Sequence, residues 1–525
     1  MLSALIWIPV LGAVLLGLVT DSSSPQRSRP VALVTIGIVF ILTLVLGSQF
    51  DPGQSGMQFS ESFAWIETLG LSYQLGLDGL SLPLIVLNGL LTGIAIVSSE
   101  ATVQRPRLYY TLLLLLNAAV TAAFLAQNLL LFFLFYELEL IPLYLLIAIW
   151  GGARRGYAST KFLIYTAISG VLILVAFLGL TLLTRSTSFD YDPLLSQILP
   201  IGQQLLLLGA LLVGFGIKIP LVPFHTWLPD AHVEASTPVS VLLAGVLLKL
   251  GTYGLVRFGF GLFPEAWTVL APWLATWAAV SVLYGAFMAI AQTDMKKMVA
   301  YSSIGHMGYV LLAAAAATPL SLLASVCQMI SHGLIAAMLF LLVGVVYQKA
   351  GTRDLEVLRG LLNPERGLPL IGSLMILGVM ASSGIPGMVG FISEFLVFRG
   401  SFPVFPVQTL LCMVGTGLTA VYFLLLVNRA FFGRLSPQVM NLPPVYWIDR
   451  IPAMVLAVLI VALGLQPNWL VHYSETTTTE LIHASSAIAQ RTDSRPDVAL
   501  NDTDAVSRQM LEASRHEAST LVHSS

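Results

Sequence analysis

The sequence predicts an all-α polytopic membrane protein of about fourteen transmembrane helices, and three observations predict it. Hydrophobic residues make up 57% of the 525 residues and charged residues only 10%, against roughly 25% charged in a soluble domain. Apolar runs of roughly 17–25 residues, long enough to cross a bilayer, recur along the chain. Lys and Arg alternate sharply in number between successive connections. Hydrocarbon offers no water to an open backbone group, so a run of this length closes its own hydrogen bonds as a helix.

The runs lie near 1–19, 31–48, 77–99, 109–127, 129–149, 160–184, 204–227, 238–258, 268–290, 298–317, 320–347, 367–398, 405–432 and 450–470. The first lacks a charged leading stretch and a small-residue cleavage site, so it is read as a span and not a signal peptide. Odd-numbered connections hold Arg27, Arg29, Arg105, Arg107, Arg154, Arg155, Lys161, Lys296, Lys297, Lys349, Arg353, Arg359, Arg366, Arg429, Arg434 and Arg450. Even-numbered ones hold only Arg185, Arg257 and Arg399. This positive-inside bias places the odd connections in the cytoplasm and both termini on the opposite face. From about Ser474 the composition turns Ser/Thr/Ala-rich and polar, which predicts a flexible tail.

A net charge of −2 leaves no basic surface for a phosphate backbone, which argues against nucleic acid as a partner. Cys327 and Cys412 sit inside apolar runs, without metal-ligand or disulfide spacing, so no cofactor is expected in this chain. Two pairs of strings hint at an internal duplication. Lys161-Phe-Leu-Ile-Tyr165 resembles Lys297-Met-Val-Ala-Tyr301, and Lys218-Ile-Pro220 echoes Gly384-Ile-Pro386.

An ionisable side chain near the bilayer centre costs about 2.5–3.5 kcal/mol on insertion scales, so each is a functional candidate. Glu137, Lys218, Lys249, His306, His332 and Glu394 qualify. Glu137 and Glu139 are two residues apart, about 200° around a helix, so only one faces a shared cavity. Relief of the backbone freed by Pro142 is the bland role for either. Lys218 precedes Pro220 and Pro223, which remove amide donors and break the helix beside it; a broken helix is tolerated where it lines a hydrated cavity. Snorkelling is the competing reading, and Lys218 is deep in its run for that.

Lys249, about eleven residues into the eighth run, falls near the midplane, with a static salt bridge to Glu137 as the rival role. His306 and His332 can exchange protons near neutral pH; haem ligation or simple packing are their alternatives. Glu394 follows the break Ser382-Ser-Gly-Ile-Pro-Gly387 and is a candidate exit, unless Arg399 pairs with it. His225, Asp230, His232 and Glu234 are expected to be solvated at the inner end of the seventh run. Asp78 is expected to cap a helix.

The strings Gly76-Leu-Asp-Gly-Leu-Ser81, Tyr136-Glu-Leu-Glu-Leu-Ile-Pro-Leu-Tyr144, Lys218 through His232, Leu248-Lys-Leu-Gly-Thr-Tyr-Gly254, Ala300 through Gly308 and Gly390-Phe-Ile-Ser-Glu394 together resemble the antiporter-like subunits of complex I and the related multisubunit cation/proton antiporters. Within that family the chain is most similar to the chain-4 branch. A chain-5 member is similar to a lysine where this sequence has Glu394, and carries a long lateral helix that is lacking here.

The resemblance implies two inverted five-helix halves, at 101–265 and 266–435. Around them it implies a leading segment 1–100, a closing helix 436–473 and a tail 474–525. It also implies a Glu137–Lys218 pair, a central Lys249, His306 and His332 along a polar axis, and Glu394 as the terminal protonatable group. Other membrane subunits and lipids are the implied partners, with quinone reduced by neighbouring subunits and protons carried from cytoplasm to lumen. Glu-Leu-Glu-Leu-Ile-Pro followed by Trp150-Gly-Gly152 looks most like the cyanobacterial and plastid branch, implying a thylakoid location, and the opening residues look like its carbon dioxide uptake variants. Rival readings are a subunit of a redox-independent cation/proton antiporter and a non-pumping scaffold.

Overall fold

The computed structural model describes residues 1–19, 25–100, 102–365, 367–439 and 442–493; Arg366 and positions 494–525 of the expected tail lie outside the described residues. Among them, eleven helices are long and apolar enough to cross a membrane, and three shorter apolar helices, Leu2–Leu18, Leu82–Val97 and Pro369–Ser382, occupy the remaining expected spans. Each apolar run therefore holds one span, continuous or broken, and spans are numbered one to fourteen below.

Burial sorts the spans. The eighth (Thr237–Phe260), tenth (Met295–Ala316) and eleventh (Pro319–Ala350) are buried along 100%, 94% and 94% of their most apolar stretch, whereas the second is buried along 33%. The first three form the centre and carry Lys249, His306 and His332. Small residues let the helices close up there. A Cβ on Gly285 of the ninth span would sit 2.8 Å from the Gly305 nitrogen of the tenth, the close backbone approach that membrane packing favours.

Three spans break, each for a local reason. The fifth divides at Glu139 into Leu129–Leu138 and Leu140–Trp150, because Pro142 has no amide for the carbonyl of residue 138 and its ring pushes that carbonyl away. The seventh ends its first part, Ile201–Lys218, just before Pro220 and resumes as Trp227–Glu234. The twelfth stops at Ser382 and restarts at Val389; Gly384 (φ +67°) and Gly387 (φ +91°) supply the left-handed backbone of the gap. The Lys218 and Gly384 strings thus both mark broken helices, and these two spans run through the bundle in opposite directions. The Lys161 and Lys297 strings fall in spans six and ten, both beginning on one face, so inversion does not relate them.

Connections gather on two faces. Odd-numbered ones touch one another: the Gly152 amide donates to the Glu234 carbonyl (2.8 Å), and Arg353 reaches Asp294 (3.3 Å) and the Val233 carbonyl (3.0 Å). On the other face Asn128 donates to the Gly70 carbonyl (3.2 Å) and Thr318 to that of Gly400 (3.1 Å).

Three features differ from expectation. A β-hairpin, β1 (Gln58–Ile66) paired antiparallel with β2 (Leu71–Leu77), occupies the second connection; hydrophobic-run counting detects spans and says nothing of aqueous loops. The start of the expected flexible tail is a helix, Glu475–Asp493, packed against the ninth and eleventh spans and tied to the turn before the third: Ser474 donates to the Gly79 carbonyl (2.7 Å) and the Gly79 amide donates to Thr477 (3.1 Å). Ile482 of this helix is buried, an apolar foothold that composition alone conceals. Arg257, counted with a connection, lies 3% exposed inside the eighth span, whose helical backbone continues beyond it.

Candidate functional site

Lys218 ends the first half of the seventh span with its side chain entirely buried, and its ammonium is bonded to the Glu139 carboxylate, also entirely buried. The Lys218 Nζ lies 3.9 Å from the centre of the Tyr136 ring, a cation–π contact that partly replaces hydration. Tyr136 is fixed by Ser169 (3.1 Å), which donates to the Gly214 carbonyl (2.7 Å).

The expected Glu137–Lys218 pair is therefore corrected to Glu139–Lys218. Glu137 and Glu139 flank the break in the fifth span, and their side chains point apart. Glu137 turns to Gly170 of the sixth span, where an added Cβ would lie 1.9 Å from its Oε1. A missing side chain on the neighbouring helix makes room for that carboxylate.

The second cluster is a file of polar groups, hydrogen-bonded except between its two histidines. Lys249 sits between two π-helical turns, Leu243–Leu247 and Leu255–Phe260, a backbone form often found at functional sites. Its Nζ donates to the Ala244 carbonyl within the first turn (2.5 Å) and lies 2.7 Å from His332 Nδ1. The His332 and His306 rings have centres 5.6 Å apart. His306 Nε2 is 3.0 Å from the Ser382 hydroxyl and its Nδ1 is 3.5 Å from Glu394 Oε1. Thr416 donates to Glu394 Oε2 (3.0 Å) and is itself 3.0 Å from the Tyr309 hydroxyl. Lys249, His332, His306 and Glu394 are all buried. Four ionisable groups from four spans thus form one file through the interior.

This arrangement rejects several bland alternatives. Lys249 bonds to His332 and Ala244, not to Glu137. Arg399 is exposed and turned away from the buried Glu394. Three of the four nitrogens of His306 and His332 face Lys249, Ser382 or Glu394, and His332 Nε2 makes no hydrogen bond to protein. Asp78 does accept amides from Leu80 (3.1 Å) and Ser81 (3.0 Å), as a cap should, and it also pairs with Arg257.

The inner-end residues are more enclosed than expected. His232 is fully buried and stacked on Phe340 with ring centres 4.3 Å apart. His225 is 4.7 Å from the Tyr284 ring, Glu234 accepts the Arg154 amide (2.8 Å), and Asp230 pairs with Lys161 (2.8 Å). Residues after the Pro220–Pro223 break re-enter the bundle and do not project from it. The two lysine sites meet through backbone: a Cβ on Gly251 would be 3.2 Å from the Lys218 Cβ. Among the described residues no hydrogen bond joins one site to the other.

Sequence reading missed Glu139 as the lysine partner, the Asp78–Arg257 pair, and the hydroxyls of Ser382, Thr416 and Tyr309. A threonine in the middle of an apolar run was the available signal for Thr416, Glu139 stood beside the expected Glu137, and Ser382 and Asp78 were noted only as a helix break and a cap.

Comparison with known proteins adds an independent line. A family model described as NADH:quinone oxidoreductase/Mrp antiporter, transmembrane, matches residues 126–419. NAD(P)H-quinone oxidoreductase chain 4-2 of Synechocystis is 42% identical over 448 residues, covering 84% of this chain and 80% of the relative. A chain 4 of a Synechococcus strain is 40% identical over 510 residues, covering 94% and 95%. In the solved respiratory complex I of Thermus thermophilus with bound NADH, one chain superposes with a TM-score of 0.83 at 26% identity, covering 93% of this chain and all of that one. A chain of the Mrp complex of Dietzia superposes at 0.80 with 21% identity, covering 94% of this chain and 99% of that one, a likeness of fold.

Proposed function

The chain belongs to the NADH:quinone oxidoreductase/Mrp antiporter transmembrane family, and on that footing we propose that it is the chain-4 proton-translocating membrane subunit of a cyanobacterial NAD(P)H-quinone oxidoreductase. It is an integral membrane protein, and quinone is reduced by partner subunits while this chain carries protons without a redox centre of its own. The observation that carries this reading is the file Lys249–His332–His306–Glu394, whose successive members are 2.7 Å apart, 5.6 Å apart between ring centres, and 3.5 Å apart. Buried ionisable groups in a membrane are costly, and a file spanning four helices has no packing purpose that leucine would not serve better.

In this mechanism the odd-connection face is cytoplasmic and the opposite face lumenal, in a thylakoid membrane. Residues 101–265 supply the entry half and 266–435 the exit half. A proton enters past His225 and His232, loads the Glu139–Lys218 and Lys249 sites, passes laterally through His332 and His306, and leaves from Glu394. Each charge that moves changes the electrostatic energy of its neighbours, so the file responds as a coupled unit. Breaking the Glu139–Lys218 pair and re-forming it is the local event through which a neighbouring subunit drives the transfer.

Lys249→Ala in the assembled complex tests the reading: protons moved per electron fall while quinone reduction and assembly persist. An unchanged ratio sinks it. The same fold in an Mrp complex keeps a redox-independent exchanger as the second reading. Gentle purification from native membranes separates the two, because iron–sulfur and quinone-binding subunits accompany the chain only in the first. Whether carbon dioxide hydration proteins also accompany it decides the carbon dioxide uptake assignment.

A further inference from the structure

On the face away from the odd connections, the C-terminal helix, the β-hairpin and the outer end of the eighth span enclose a cavity of about 350 Å³. Gln74, Tyr191, Asp78 and Arg257 line it from within, and Thr477 and Ala484 of the C-terminal helix stand at its rim. Gln74 Oε1, the Tyr191 hydroxyl and Arg257 Nε are buried and make no hydrogen bond to protein. A space of this size bordered by the polar side chains of Gln74, Asp78, Tyr191 and Arg257 has room and partners for ordered water. Arg257 is 3% exposed and salt-bridged to Asp78, so a neutralised ion pair stands at the cavity's inner wall.

Behind that wall the polar character stops. Between it and the two lysines lies a block of rings: Tyr191 is 5.9 Å from Phe258, Phe258 is 4.4 Å from Phe132, and Phe132 is 5.4 Å from Tyr136, the ring over which Lys218 sits. Tyr253, one turn from Lys249 and one from Arg257, packs on Phe124 at 5.2 Å. Phe124, Phe132, Tyr136, Tyr253 and Phe258 are at most 1% exposed. The two hydroxyls within the block are used, Tyr253 donating to the Phe124 carbonyl (3.0 Å) and Tyr136 held by Ser169 (3.1 Å). No free polar atom remains there to hold a water.

We propose that this aromatic block, backed by the Arg257–Asp78 pair, is the outer seal of the first half, and that the cavity beneath the C-terminal helix is a hydrated vestibule ending at it. An apolar constriction blocks a water wire by dewetting, and the Arg257–Asp78 pair fixes the backbone at its outer edge. Protons on Lys218 and Lys249 are thereby denied a direct way out and must travel sideways to His332. The inference rests on the proton-carrying reading above, and it adds a part that reading does not need: a barrier against return flow from the outer phase.

The test uses the assembled complex in sealed vesicles without electron donor, following the collapse of an imposed pH gradient. Phe132→Ala and Phe258→Ala open the block, and a several-fold faster collapse than wild type is expected from each. Adding Ala484→Cys to either and attaching a bulky methanethiosulfonate at the vestibule mouth should restore the slow rate, and reduction of the label should release it again. Variants that assemble fully and collapse the gradient at the wild-type rate overturn the seal, as does a leak that the label leaves untouched. Should neither variant assemble, single cysteines in the otherwise intact chain decide: Gln74→Cys reacts with a hydrophilic thiol reagent from the outer side and Phe132→Cys does not, whereas labelling at position 132 overturns the proposal. Lys249→Ala under electron flow is measured alongside. An unchanged proton ratio there removes the pathway reading, while the leak assay, run without electron flow, still reports on the seal.

Discussion

Replacing Lys218 by methionine asks which carboxylate it serves. Methionine keeps most of the unbranched stem, so the packing change is small, and the loss is chiefly that of the charge. Glu139 is left with neither exposure nor a partner, and removing one member of a buried pair costs about 3–5 kcal/mol. That is roughly two to three and a half powers of ten in the folded-to-unfolded ratio. Adding Glu139→Gln removes the stranded charge as well, and most of the loss should return. Adding Glu137→Gln should recover little, because that carboxylate sits against Gly170 and is not bonded to Lys218. Heat retention of this subunit within the purified complex reads the stability, and protons per electron read the function. All three variants lack the lysine and should pump less. Equal rescue by the two glutamine changes, or a Lys218→Met complex as heat-stable as wild type, would refute the assigned pairing.

Three further outcomes follow from other parts of the molecule. His332→Ala interrupts the file between Lys249 and His306, and protons per electron should fall to the level of Lys249→Ala, with no further fall in the double variant; additive losses would show two separate routes. A Cβ on Gly390 would lie 1.9 Å from the Ala381 carbonyl oxygen, a backbone atom that cannot step aside, so Gly390→Ala should displace the segment bearing Glu394 and sharply reduce the amount of intact complex. In the outer loops the Asp190 carboxyl is pulled upward by partial burial, but hydrogen bonds from Ser72, Asn128 and Ser188 outweigh this and hold it below its ordinary value of 3.8. A depressed carboxyl contributes stability above its unfolded pKa and loses it as pH falls through the folded one. Protection factors of the amides in the 58–77 hairpin, taken relative to the intrinsic exchange rate at each pH, should therefore fall below about pH 4, and Asp190→Asn should flatten that dependence.

Much of the architecture was legible because a bilayer imposes strong constraints on sequence. Fourteen apolar runs became fourteen spans, and the alternation of Lys and Arg became two faces whose odd connections touch one another. The breaks at Pro142, at Pro220 and at Gly384–Gly387 were legible too, since proline and glycine act on the backbone within a few residues. The β-hairpin and the helix Glu475–Asp493 were not, because their amphipathic faces are short and gain meaning only from the surface they meet.

The candidate site divides in the same way. Insertion cost alone singled out Glu137, Lys218, Lys249, His306, His332 and Glu394, since a charge in hydrocarbon is conspicuous wherever it lies in the chain. Partnership was a tertiary matter. Glu137 and Glu139 are indistinguishable by depth, and only the direction each takes from the broken fifth span gives Lys218 to Glu139. Likewise Lys249 and His332 are 83 residues apart and His306 and Ser382 are 76 apart. Hydropathy and charge report what each residue costs in a membrane, a property of the residue and its depth; which groups offset that cost together depends on helix rotation and packing, which no local stretch of sequence contains.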